Sequence, residues 1–133
     1  MWMTTQPRSQ IERAVIQFGG ARTAAGPIQA VASRTCDVLP VVTRTAELLH
    51  PGTDLTEKTN ALIVCLEIGL PTDLAPLGLA AGRALTRGEY LRLLSTGIST
   101  PDEVRDAADE PLEQILGSAA RVRELRHAVD AYL

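Results

Sequence analysis

The sequence predicts an all-α fold in a single domain. Three observations carry this. Helix start and stop signals recur along all 133 residues while strand alternation is nearly absent. Apolar residues repeat at i, i+3, i+4 and i+7. Aromatics are limited to Trp2, Phe18, Tyr90 and Tyr132, so the core must be built from Leu, Val, Ile and Ala, of which Leu and Ala are strong helix formers.

Taken in chain order, Ser9 with Glu12 reads as a capping box opening a helix whose apolar face is Ile11, Ala14, Val15 and Phe18, ended by Gly19 and Gly20. Residues 19–26 read as a Gly/Ala/Thr linker. Pro27 is placed as a first helical residue of a long helix reaching Leu49. Its apolar stripe is Ile28, Val31, Val38 with Leu39, Val42, Ala46 and Leu49, and its polar face carries Gln29, Ser33, Arg34, Asp37, Arg44 and Glu47. Pro40 lies inside it and removes a backbone donor, so a kink or break is expected near residues 35–39.

His50-Pro51-Gly52 is a turn, and Asp54 with Glu57 caps a helix to Ile68 that is apolar nearly all round from Ala61 to Leu66. That pattern predicts a central buried helix, stopped by Gly69 and Pro71. Short helices follow. One spans 73–79. A second spans 87–95, capped by Thr86, with Leu91 and Leu94 inward. Thr100-Pro101-Asp102-Glu103 opens a third as a capping box with proline at the first helical position, Pro111 opens a fourth that ends at Gly117, and Ser118 caps a last helix with Val122, Leu125, Val129 and Tyr132 inward. No internal repeat or domain boundary interrupts this: residues 1–133 read as one helical domain with segments 1–19, 27–69, 71–117 and 118–133.

Net charge is −3, against the basic balance expected of a generic polyanion binder. Cys36 and Cys65 fit neither a CxxC pair nor a disulfide framework and read as buried free thiols in a reducing cytoplasm. The opening residues lack the apolar core of a secretory leader, and the run from Ala61 to Leu66 is too short to span a bilayer, so no membrane association is expected. No phosphate-cradling GxxxxGK[ST] occurs, and His50 and His127 lack a ligand partner at metal spacing. The acids Asp102, Glu103, Asp106, Asp109, Glu110 and Glu113 fall in the first turns of short helices, where they complement the helix dipole. No catalytic residue, metal site or cofactor is expected, and the chain alone reads as a non-enzyme. Two basic clusters remain, Arg83, Arg87 and Arg92, and Arg121, Arg123, Arg126 and His127. Each suits either phosphate contact or local ion pairing.

The stretch Leu70-Pro71, Asp73-Leu74, Arg83, Leu85, Arg87, Tyr90-Leu91, Gly97-Ile98, Thr100 to Val104, Leu112 and Ile115-Leu116-Gly117 resembles the helix-hairpin-helix end of the Ski-like superfamily 2 helicases. Upstream, Gly26-Pro27-Ile28, Val31, Cys36-Asp37, Val41-Val42 and Ala46 to Leu49 are similar to that family's ratchet helix, which lies across the channel and touches the single strand. The resemblance covers roughly residues 20–117. It implies a bundle with a long kinked helix and a helix-hairpin-helix-like C-terminal half. It also implies a non-catalytic accessory domain that guides single-stranded or forked DNA beside a helicase motor domain or subunit, with Arg34, Arg44, Arg83, Arg87 and Arg92 as the nucleic-acid contacts. The family's Gly-aliphatic-Gly hairpin is absent here: Gly82 to Gly88 stands in its place, which leaves more of the contact to Arg83 and Arg87. The other expectation is a helical protein-interaction or homo-oligomerisation module that keeps the fold without binding nucleic acid. The acidic balance and the missing hairpin glycines favour it.

Overall fold

A computed structural model describes residues 2–19 and 25–132, with the side chains of 18, 19 and 25–27 left aside. The expected inward Phe18 and the linker reading of 20–24 lie outside the described residues. Every regular element among the described residues is helical: α1 (Arg8–Gly19), α2 (Ala25–Leu49), α3 (Thr56–Ile68), α4 (Ala75–Ala81), α5 (Arg87–Ser95), α6 (Pro101–Asp106), α7 (Asp109–Leu116) and α8 (Ala119–Tyr132), with 3-10 turns at Thr72–Leu74 and Gly82–Ala84. The all-α bundle expected from the sequence is what the chain forms.

The core sits in the C-terminal half. Leu74 and Leu77, Tyr90 and Leu93, Val104, Leu112 and Leu116, and Val122, Leu125 and Val129 close on one another, with Cys65 and Leu70 contributed from the end of α3 and the turn after it. Helix α8 runs through the middle, against α4, α6 and α7. Its heptad-spaced apolar residues explain this, although Tyr132 ends up half exposed rather than inward. In α5 the fully buried residues are Tyr90 and Leu93, while Leu91 and Leu94 pack at the edge.

Short helices of six to nine residues are marginal alone, so their ends matter. Thr100 with Glu103 forms the capping box that the sequence predicts, and Thr86, expected as a cap, forms a complete box with Glu89 as well. The Ser118 hydroxyl accepts from Arg121 N at 3.4 Å. Gly69 turns the chain out of α3 at φ +78°, and a Cβ there would meet Trp2 Cε2 at 2.9 Å, so conformation and space both require glycine. At Gly78, a Cβ would come within 2.9 Å of Val64, so α3 and α4 meet closely because the residue is bare.

Four expectations change. Helix α1 starts at Arg8, where backbone bonds run to Pro7 O, and Glu12 binds the Arg8 side chain at 2.7 Å instead of capping with Ser9. The Asp54 carboxylate accepts from Thr56 N two residues on, a local turn contact at the entry to α3, and the expected Asp54–Glu57 cap does not form: Leu55 is the N-cap residue and has no side-chain capping bond. Helix α2 already includes Ala25 and Gly26, and it runs unbroken through Pro40 to Leu49, so of the kink or break expected at 35–39 the break does not occur. Proline ends a helix only when nothing holds the two sides in line, and here α2 lies along α3 on both sides of residue 40. Finally, α3 is not a central buried helix: only Cys65 is buried and Leu62 is exposed. It packs on α2 along one side and α4 along another, and the remaining side faces solvent.

Candidate functional site

Helices α2 and α3 form an antiparallel hairpin around the turn at 50–55. The Cys36 thiol donates to Ile63 O at 3.8 Å, and near the tip the Thr43 and Thr59 hydroxyls meet at 2.6 Å. At the tip itself Glu47 Oε1 accepts from Leu55 N at 3.1 Å, which ties the turn to α2. The residues that α2 turns toward α3 are Ala32, Cys36, Leu39, Thr43 and Ala46, all buried or half-buried and spaced alternately four and three apart. That spacing is the signature of one helix seated lengthwise on another.

A second row runs beside the first. Val31, Thr35, Val38, Val42, Thr45 and Leu49 are again spaced four and three apart, and all are exposed. Val41 and Leu48 flank them. The six large apolar side chains on this face, Val31, Val38, Val41, Val42, Leu48 and Leu49, are each between 54% and 71% exposed. A lone exposed valine is ordinary; a contiguous face of six on one helix is a patch of several hundred Å² and marks a contact surface. The single apolar stripe expected of α2 therefore splits. Leu39 and Ala46 are half-buried on the α3 side, whereas Val31, Val38, Val42 and Leu49 are left more than half exposed.

Of the five arginines expected to contact nucleic acid, Arg87 and Arg92 line one groove, and the other three are not among its lining residues. Arg34 and Arg44 lie on exposed positions of α2, with Arg44 paired to Glu47 at 3.4 Å. Arg83 follows α4 and approaches Glu67 at 3.9 Å. Arg87 is committed to the chain itself: its Nε donates to Gly69 O at 2.7 Å, and one Nη donates to Thr4 O and Gln6 O, each at 2.8 Å. Its guanidinium lies 6.0 Å from the Trp2 ring centre, and the Trp2 indole donates to Leu66 O at 2.6 Å. Together these fasten the N-terminal segment to the end of α3. Arg34, Arg87 and Arg92 of the five make no ion pair among the described residues, and of these Arg87 is held by three backbone carbonyls.

The start of α5, where the helicase resemblance places phosphate contact, is already filled by a carboxylate. Glu89, 6% exposed, accepts from Thr86 N and Thr86 Oγ1 at 2.7 Å each. Arg121 Nη2 donates to both of its oxygens at 3.0 and 2.9 Å and to Ala84 O at 2.8 Å. Burial pushes the Glu89 carboxyl up, but the Thr86 and Arg121 donors outweigh it and hold it below its ordinary value. Arg126 is likewise inward-directed, binding Asp109 Oδ1 at 2.7 Å and Ala107 O at 2.7 Å.

One concave region does carry exposed cationic surface. A groove of about 730 Å³ lies between the N-terminal segment and α5, lined among others by Trp2, Arg8, Glu67, Leu91 and Arg92. A second, apolar hollow of about 310 Å³ lies at the N-terminal end of the exposed α2 row, where Val15, Ile28, Val31 and Thr35 meet Trp2 and Leu66. Among the described residues no three His, Cys, Asp or Glu side chains group as metal ligands, and no single helix is long and apolar enough to cross a membrane.

The sequence contains the second α2 row but does not separate it from the first. The signal is the count: two interleaved rows of four-three spacing on one helix exceed what one neighbouring helix can cover. Comparison with protein-family models, curated proteins and solved structures gives no match for this chain.

Proposed function

We propose that this protein is a helical protein-interaction module that docks through the outward face of α2 and has no chemistry of its own. The carrying observation is that face, six large aliphatic side chains wide-open to solvent along a helix already braced by α3. Bracing matters because a docking helix that is preordered loses little conformational entropy when it binds. The arginines support the same reading: Arg87, Arg121 and Arg126 are spent on internal carbonyls and carboxylates. Free thiols at Cys36 and Cys65 suit a reducing compartment such as the cytoplasm.

A nucleic-acid role beside a helicase motor is the second reading. It rests on the helicase resemblance and on the groove where Trp2 and Arg92 offer a ring and an unpaired cation. Single-strand binders combine such groups as stacking platform and backbone contact.

Two pairs of substitutions separate the readings. With Val38→Glu plus Val42→Glu, proteins retained by the wild-type chain are lost, whether a second copy or another species, while circular dichroism is unchanged. With Arg34→Glu plus Arg92→Glu, retention is unchanged. Fluorescence anisotropy with single-stranded and forked DNA over a salt series should show no binding with an appreciable salt slope. Tight salt-dependent DNA binding that disappears with the arginine pair, alongside retention indifferent to the valine pair, would overturn the interaction reading in favour of strand guidance.

A further inference from the structure

We infer that the partner of the α2 face is α2 of a second copy of this chain, packed antiparallel about a two-fold axis beside residue 40. This rests on the reading of that face as a docking surface and names its occupant. The exposed row is a palindrome. Val38 and Val42, Thr35 and Thr45, and Val31 and Leu49 stand at equal distances on either side of Pro40. An antiparallel two-fold sets each member of a pair opposite the other, so valine meets valine, threonine meets threonine and Val31 meets Leu49. Such self-complementarity is what an isologous interface requires. Placed in heptad terms, each layer joins an a position to a d position, the layer composition of antiparallel coiled coils.

Two further features fit burial by a copy. The row carries no charge, and its only polar groups are already satisfied. The Thr35 hydroxyl donates to Val31 O at 2.9 Å, and the Thr45 hydroxyl donates to Val41 O at 2.8 Å, so both threonines present methyl groups and leave no orphan donor when covered. The ends of the row differ in shape in a matching way. Leu49, 71% exposed, stands as a knob near the hairpin tip, and the apolar hollow of about 310 Å³ opens beside Val31 at the other end. The two-fold brings each knob to the mouth of the other copy's hollow. Six half-exposed or better aliphatic side chains on each copy amount to an interface of roughly 1,200 Å² or more in total, the size at which specific association begins.

The test uses the full chain. Sedimentation equilibrium across a hundredfold concentration range should give a monomer–dimer equilibrium. Val38→Glu plus Val42→Glu should weaken it roughly 100-fold or more, with helix content retained, because each carboxylate would be buried unpaired in the seam. Orientation is read by oxidative trapping. A mixture of Val31→Cys and Leu49→Cys chains should form a mixed disulfide, while Leu49→Cys alone should not, its two copies lying about 27 Å apart along the axis. The wild-type chain, with Cys36 and Cys65, is the background. A chain that stays monomeric throughout, a dimer indifferent to the valine pair, or efficient self-linking of Leu49→Cys would each overturn the inference. Of these, a monomer that still loses a different bound protein with the valine pair overturns self-pairing but leaves the interaction reading standing. A monomer that retains nothing removes both.

Discussion

At the scale of single residues, the chain spends its charge on holding short pieces together. Glu89 is the clearest case, a nearly buried carboxylate that caps α5 and anchors Arg121 of α8. Its depressed pKa gives a signed prediction. The stabilisation is present above the unfolded glutamate pKa of about 4.3 and is lost as pH falls through the lower folded value. Glu89→Gln should therefore cost about 2 kcal/mol at neutral pH and flatten the acid limb of a Tm-against-pH curve; an unchanged limb would place the acid sensitivity elsewhere. Arg87→Ala should cost about 1–2 kcal/mol and release amides near residues 2–6 to fast hydrogen exchange, because three carbonyls lose their donors. The caps at Thr86 and Thr100 were legible in the sequence, since a Thr–x–x–Glu pattern is local, and Ser118 was legible from its place between Gly117 and an amphipathic run. Arg87's role was not: its partners at Thr4 and Gln6 are more than eighty positions away, and no spacing rule connects them.

At the scale of elements, α2 is the informative one. Its 25 residues stay helical through Pro40 although proline forfeits one backbone bond, to Cys36 O. Pro40→Ala should restore that bond and raise stability by about 1–3 kcal/mol, read as a higher Tm with unchanged helix content; no gain would mean that Cys36 O already has a donor. The sequence identified α2, its apolar character and its ends to within two residues. It misjudged two consequences. A break was one of the two outcomes expected at Pro40, because local propensity was weighed without the support of α3, and α3 was expected to be central because apolarity all round is the usual mark of a buried helix. In the structure that apolarity serves α2 and α4 on two sides, and Leu62 is left exposed. Single substitutions such as Val38→Ser should leave the unfolding free energy of the isolated chain within about 0.5 kcal/mol of wild type, as at a solvent-facing site. The same change at Leu77 or Leu112, which have no exposure at all, should cost several kcal/mol.

At the scale of the molecule, the mass of buried side chains lies between Cys65 and Val129, and the α2–α3 hairpin extends from it with one face bare. The all-α class and the single core were legible from periodicity and composition, because both are encoded in the spacing of Leu, Val and Ala. The contact face was not, because a helix with two apolar rows looks in sequence like a helix with one broad row; only burial tells which row is taken. The most direct test of the account is the solvent accessibility of the valine methyls, read by NMR with a soluble paramagnetic relaxation agent at low and high protein concentration. At low concentration Val31, Val38, Val41 and Val42 should relax as strongly as exposed Ile16. At high concentration they should approach the shielding of the core methyls of Val104, Val122 and Val129. Relaxation of the α2 valines that stays at the Ile16 level at every concentration would contradict the account.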